Sequence, residues 1–147
     1  MKPSHLLPLI LIIASMQQNQ PPAPGPSSDP LQSKVIDWNA LVPTPTRTGQ
    51  RRDVFDAPTA TLDRLHGHIT TLNPGENTGP LHRHPQEELV IIKEGTVEVN
   101  IDGRKKVVGP GSIVYFAVNE NENMTNVGST PATYTVLQWF TSKTPKD

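Results

Sequence analysis

The chain has 147 residues, 13 Lys plus Arg against 14 Asp plus Glu, and a net charge of −1. That is one domain's worth of sequence, without the basic excess of a nucleic-acid binder. Cys is absent, which excludes a disulfide framework, a Cys-ligated zinc site, an iron–sulfur cluster and a thiol nucleophile.

Residues 1–20 read as a secretory signal peptide. Lys2 supplies the positive start, Leu6 to Ala14 is an unbroken run without charge, and Ala14 and Ser15 are small residues near a cleavage point. The run is too short to cross a bilayer, which takes about 20 apolar residues. A buried N-terminal strand or helix is the alternative. The signal reading predicts a secreted or periplasmic protein with no membrane attachment after its removal. Residues 21–49 form a Pro-rich linker and docking segment. Pro21, Pro22, Pro24, Pro26 and Pro30 sit among polar residues with little to bury, so ordering entropy is not offset there. Val35, Ile36, Trp38 and Leu41 are the first anchors, and the Thr-Pro-Thr-Arg-Thr-Gly stretch after them reads as loop.

Residues 50–142 should form the domain, with 143–147 a tail. Runs rich in Val, Ile, Thr, Tyr and Phe predict strands at Thr61–Leu72, Glu88–Lys93, Thr96–Ile101, Lys105–Val108, Ser112–Phe116 and Thr133–Phe140. Asn73-Pro74-Gly75, Glu94-Gly95, Asp102-Gly103 and Gly109-Pro110-Gly111 punctuate them. Asp102-Gly103 between Val97-x-Val99-x-Ile101 and Val107-Val108 is a strong hairpin signal. No helical apolar period of useful length occurs, so the fold class is all-β, a sandwich or barrel. Asn119–Asn123 reads as a polar, flexible loop.

The candidate chemistry lies in residues 75–95. His82 and His84 are two apart, and on a strand such residues face one side. Glu88 opens the next strand and can swing beside them. Two imidazoles and a carboxylate on one face suit a divalent ion with open positions. Glu87, of opposite facing, reads as exposed or as supporting the site from outside. His66 and His68 repeat the two-apart spacing on the preceding strand, where one of them could line the pocket, although a polar strand face explains them equally. Arg51-Arg52-Asp53 reads as an exposed strand start. Tyr115, Phe116, Tyr134, Trp139 and Phe140 pack the barrel or an interface.

His82-x-His84-x3-Glu88-x6-Gly95 resembles the first motif of the cupins. Gly103-x5-Gly109-Pro110-Gly111 resembles the opening of their second motif, with Gly109 where a Pro is usual. The resemblance spans roughly Leu65 to Trp139 and is nearest the small single-domain bacterial cupin 2 type. It implies a double-stranded β-helix, a jelly-roll barrel with a metal in its mouth. In the family a His follows the Gly-Pro-Gly turn by about eleven residues as a further ligand. Here no His follows His84, and the count lands on Glu122. Glu122 either ligates, giving two imidazoles and two carboxylates, or lies in a free loop and leaves a site that is three-coordinate or has lost its metal. The metal would be Mn, Fe, Ni or Zn. The family's activities are very mixed; the first functional expectation is a metal-dependent enzyme, an oxygenase, isomerase or lyase, on a small polar molecule, exported if the signal reading holds. The competing reading is a barrel that holds a small ligand without turnover. Small cupin barrels commonly pair, so a homodimer is expected, with Lys34–Leu41 lying on the partner or on its own barrel.

Overall fold

The computed structural model describes residues 26–146; the segment read as a signal peptide lies outside the described residues. Nine strands follow in order: β1 Thr44–Thr46, β2 Gly49–Ala57, β3 Arg64–Leu72, β4 Glu87–Glu94, β5 Val97–Ile101, β6 Arg104–Val108, β7 Ile113–Phe116, β8 Glu122–Asn126 and β9 Ala132–Phe140. They make a six-stranded sheet, β1-β2-β3-β9-β4-β7, and a three-stranded sheet, β6-β5-β8. Every named pairing is antiparallel. No helix among the described residues is long and apolar enough to cross a membrane.

The two sheets close on one core. Period-two alternation sends Val90 and Ile92 of β4, Val97 and Val99 of β5, Val114 and Phe116 of β7, and Tyr134 and Val136 of β9 inward. Burying such side chains contributes about 1.5–3 kcal/mol each. Asn126 is buried among them without penalty. Its amide donates to the carbonyls of Leu72 and Thr130, and its Oδ1 accepts from the Gly128 N–H. The expected hairpin forms at Asp102-Gly103, where both residues take positive φ.

Three expectations change. The Thr-Pro-Thr stretch is strand β1, not loop, because Thr44 to Thr46 pair with Gly49 to Arg51 of β2. Pro45 is tolerated because β1 is an edge strand with one side unpaired. The polar run expected to be a free loop instead ends in β8, which pairs with β5 from Ile101↔Glu122 to Val97↔Asn126. Arg51, Arg52 and Asp53 lie inside β2 rather than at an exposed start.

The docking segment lies on its own barrel. Trp38 opens a single 3-10 turn, Trp38–Ala40, capped by Asp37. Its ring is held between Arg52, 4.7 Å from the centroid, and Lys93, 4.2 Å from it. Farther back, the N–H groups of Ser27 and Leu31 donate to the carbonyls of Asp56 and Pro58.

Gly95, the last position of the first cupin-like motif, turns the chain from β4 to β5 at φ +87°, and a Cβ there would meet Ala132 Cα at 2.5 Å. Strain and clash act together, so Gly95→Ala should cost more than about 2 kcal/mol. Urea denaturation of the two proteins measures it.

Candidate metal centre

Glu88 is the first inward residue of β4, in phase with Val90 and Ile92, and is 6% exposed. Glu122 is the first inward residue of β8, in phase with Met124 and Asn126, and is 4% exposed. The two strands belong to different sheets, so the barrel closure brings both carboxylates to one end of the core. Two buried carboxylates cost several kcal/mol unless a cation or donors face them.

The histidines do not come from a strand, as their spacing suggested. Pro80 and Pro85 flank them, and proline removes the donors and restricts the backbone that a ladder needs. The loop is instead pinned to β8 and its approach. His82 and Glu122 exchange backbone hydrogen bonds, and the Asn119 N–H donates to the His84 carbonyl. This pinning aims both rings at one point. His82 Nδ1 faces the Pro80 carbonyl at 3.0 Å and His84 Nδ1 the Gln86 carbonyl at 2.7 Å. A carbonyl accepts only, so each Nδ1 carries the proton and each Nε2 is left for the site.

His84 Nε2 lies 3.5 Å from Glu88 Oε2 and 3.5 Å from Glu122 Oε1, and His82 Nε2 lies 3.0 Å from Glu122 Oε1. His84, Glu88 and Glu122 offer ligand atoms all within 4.8 Å of one another. His84 Nε2 is buried and has no hydrogen-bond partner. Ligand bonds of about 2.0–2.2 Å put donors around one ion roughly 3–3.5 Å apart, so this spacing fits a divalent cation. His82 stands at the rim, with its side chain 46% exposed. In the metal-free state the carboxylates of Glu122 and then Glu88 push the His84 imidazole up to about 10, so a proton occupies the place an ion would take.

The register of the large sheet supports this arrangement. Across β2, β3, β9, β4 and β7 one row runs Asp56, His66, Gln138, Glu88, Phe116. Gln138 Nε2 donates to Glu88 Oε2 at 2.6 Å and fixes the carboxylate. Glu87 points to the other face, where Tyr115 Oη and Trp139 Nε1 each donate to it at 2.6 Å. It therefore holds the outer surface and is not part of the site.

A cavity of about 330 Å³ opens above the cluster, lined on its other walls by Arg51, His68, Thr70, Tyr134 and Gln138. His68 is thus the member of the second pair that reaches the pocket. Burial, then Arg51, pulls its imidazole down to about 3. Burial likewise raises the Tyr134 phenol, so both groups are neutral near pH 7. Gln138 carried no signal in the sequence: it is one polar residue in an aromatic-rich strand. Arg51 was visible, but only the pairing of β2 with β3 turns it inward.

Residues 68–138 match the Cupin_2 family model, a cupin domain. A search of curated proteins finds no significant match. Among solved structures, an RmlC-like cupin from Shewanella frigidimarina is 16% identical, with 76% of this chain and 95% of that one covered at a TM-score of 0.61. The polyketide cyclase RemF from Streptomyces resistomycificus is 20% identical over 78% and 90% of the two chains, TM-score 0.61. A predicted oxalate decarboxylase from Thermotoga maritima is 15% identical over 73% and 99%, TM-score 0.60. At these identities the likeness is one of fold. Residues 68–138, the heart of the barrel, are a cupin domain of the Cupin_2 type.

Proposed function

We propose that the barrel holds one divalent ion with His82, His84, Glu88 and Glu122, and that the protein is a metal-dependent enzyme acting on a small polar molecule. The observation that carries this reading is the convergence of the buried His84 Nε2 on two buried carboxylates, 3.5 Å from each. Two carboxylates neutralise a divalent charge and favour harder ions, Mn or Fe(II), over the Ni or Zn that imidazole-rich sites take. When bound, the ion supplies Lewis-acid polarisation of a coordinated oxygen. The chain's own residues do the rest. Gln138 keeps Glu88 oriented, the two Nδ1–carbonyl contacts keep the imidazoles aimed, and the cavity of about 330 Å³ is of a size that admits a small molecule. Its wall carries His68 and Tyr134, both neutral near pH 7, which offer hydrogen-bonding groups to a polar ligand. That a polyketide cyclase and a predicted oxalate decarboxylase share this fold agrees with such a barrel carrying catalysis.

Metal titration of the purified protein tests the site. One ion per chain is expected, and the His82→Ala/His84→Ala double variant should bind at least about 100-fold more weakly, since removing a supporting partner alone costs 10–100-fold. Glu122→His should shift preference toward Ni or Zn. Unchanged binding in the double variant would reject the assignment. Tight metal binding with no turnover of any small acid, sugar or ketone would leave a non-catalytic ligand barrel.

We also propose that the protein is exported and pairs as a homodimer. The charged start and apolar run of residues 1–20 support export. Ile91, Ile113 and Tyr115 support pairing. They stand 39%, 67% and 48% exposed on the outward face of β4 and the edge strand β7, where an uncovered edge is a liability. Light scattering should give a dimer for the parent and a monomer for Ile91→Lys/Ile113→Lys; a monomeric parent overturns it.

A further inference from the structure

We propose that the cavity above the metal cluster takes a small organic carboxylate and that Arg51 is the residue that selects it; for the ligand's other end this rests on the metal-dependent reading above. Among the described residues, Arg51 is the one Arg or Lys on the cavity wall. It belongs to β2 and pairs with Thr70 of β3, yet its side chain runs back along the sheet to His66, with Nη2 3.0 Å from His66 Nε2. His66 lies in the row that continues through Gln138 to Glu88. With strands about 4.8 Å apart, that row puts roughly 10 Å of wall between the guanidinium and the ligand cluster. The reach of Arg51 and Glu88 into the cavity shortens the gap to the length of a small molecule with an oxygen at each end.

The guanidinium is anchored but not used up. Nε donates to Asp53 Oδ1 at 2.8 Å, and Nη1 has no hydrogen-bond partner among the described residues. Asp53 weakens the charge without cancelling it in the cavity. Its side chain is 39% exposed, so water screens it, and it lines the separate hollow between β2 and residues 27–34. The rest of the wall adds no second charge. Burial, then Arg51, holds the His68 imidazole down at about 3, and burial raises the Tyr134 phenol. Thr46, Thr48, Thr70 and Thr78 bring only hydroxyls. Glu88 and Glu122 stand at the other end, where a divalent ion balances them. An entering anion therefore meets one guanidinium and neutral donors. A guanidinium edge matches a planar, singly charged carboxylate. A doubly charged phosphate would bring a second negative charge that no cation on this wall answers.

The test compares lactate with lactamide, which has the same shape and no charge, by calorimetry at pH 7 on the metal-free full chain. The parent should bind lactate at least about tenfold more tightly than lactamide, the range for a hydrogen bond to a charged group. Inorganic phosphate should bind more weakly than lactate. Arg51→Met should bring lactate and lactamide to within about twofold of each other, the loss of that same charged contact. Arg51→Lys keeps the charge without the fork and should fall between the two; it also covers the case in which Arg51→Met does not fold. By NMR, the Arg51 Nε–H signal should move with lactate and not with lactamide. Mn(II) should then raise lactate affinity in the parent and in Arg51→Met alike, and failure of that step alone counts against the metal reading and not against Arg51. Lactate and lactamide bound alike by the parent, phosphate bound more tightly than lactate, or a lactate affinity untouched by Arg51→Met overturns the proposal.

Discussion

His84→Leu should destabilise the metal-free protein by about 3–5 kcal/mol at neutral pH, the range for removing one partner of a buried charge arrangement. Glu88 and Glu122 lie 6% and 4% exposed, and the cation that stands between them in the absence of metal is the His84 imidazolium. Leucine fills much of the space but leaves two carboxylates in a low-dielectric pocket, where like charges repel and neither is solvated. The loss should be recovered in large part by adding Glu88→Gln and Glu122→Gln, which keep shape and hydrogen bonding while removing the charge. Urea denaturation at pH 7 with chelator present measures all three proteins. A loss below about 1 kcal/mol for the single variant would mean that water or another cation already serves the carboxylates.

The second large effect is on pH. Metal must displace the His84 proton, and that imidazole is held up to about 10 by Glu122 and Glu88. Apparent affinity should therefore climb about tenfold per pH unit through neutrality and level off only near pH 10, instead of levelling near the ordinary imidazole value of about 6.5. At pH 7 the competing proton weakens binding by roughly a factor of 1,000, three units at tenfold each. Calorimetry in two buffers of different ionisation enthalpy should show about one proton released per ion bound at pH 7–8. The same shift fixes the stability of the metal-free protein. Its folded value lies above its unfolded one, so the contribution is fully present below about pH 6.5 and is lost as pH rises through about 10. Metal-free protein should melt lower at pH 10 than at pH 7, and His84→Leu should lack that difference. A proton-free binding event at pH 7 would show that His84 does not stand where the ion enters.

The cupin-like spacing His82-x-His84-x3-Glu88 was legible because all its members lie within one loop and the strand that follows. What made them converge was not. The strand expected beneath the histidines is absent, since Pro80 and Pro85 forbid a ladder, and their aim comes from backbone bonds to Glu122 and Asn119, over thirty residues away in the chain. Strand β8 was hidden for a similar reason. Its inward residues are Glu122, Met124 and Asn126, and with one apolar side chain among three, period two does not show as hydrophobicity. The burial of Asn126 is repaid by carbonyls of Leu72 and Thr130, which only the folded chain brings together.

The sequence by itself determined an all-β domain, because β-branched and aromatic runs broken by Gly, Pro and Asp-Gly turns leave no helical period to follow. It also marked His82, His84 and Glu88 as a candidate ligand set by their spacing, though not what makes them converge. Glu122 was marked only as the residue standing where a further ligand is due. Its burial beside Glu88, the orientation of Glu88 by Gln138, and the placing of Arg51 and His68 on the cavity wall were decided by tertiary structure. Each depends on the register between strands distant in sequence, and a shift of one residue in any of those ladders would turn the same side chains to the opposite face.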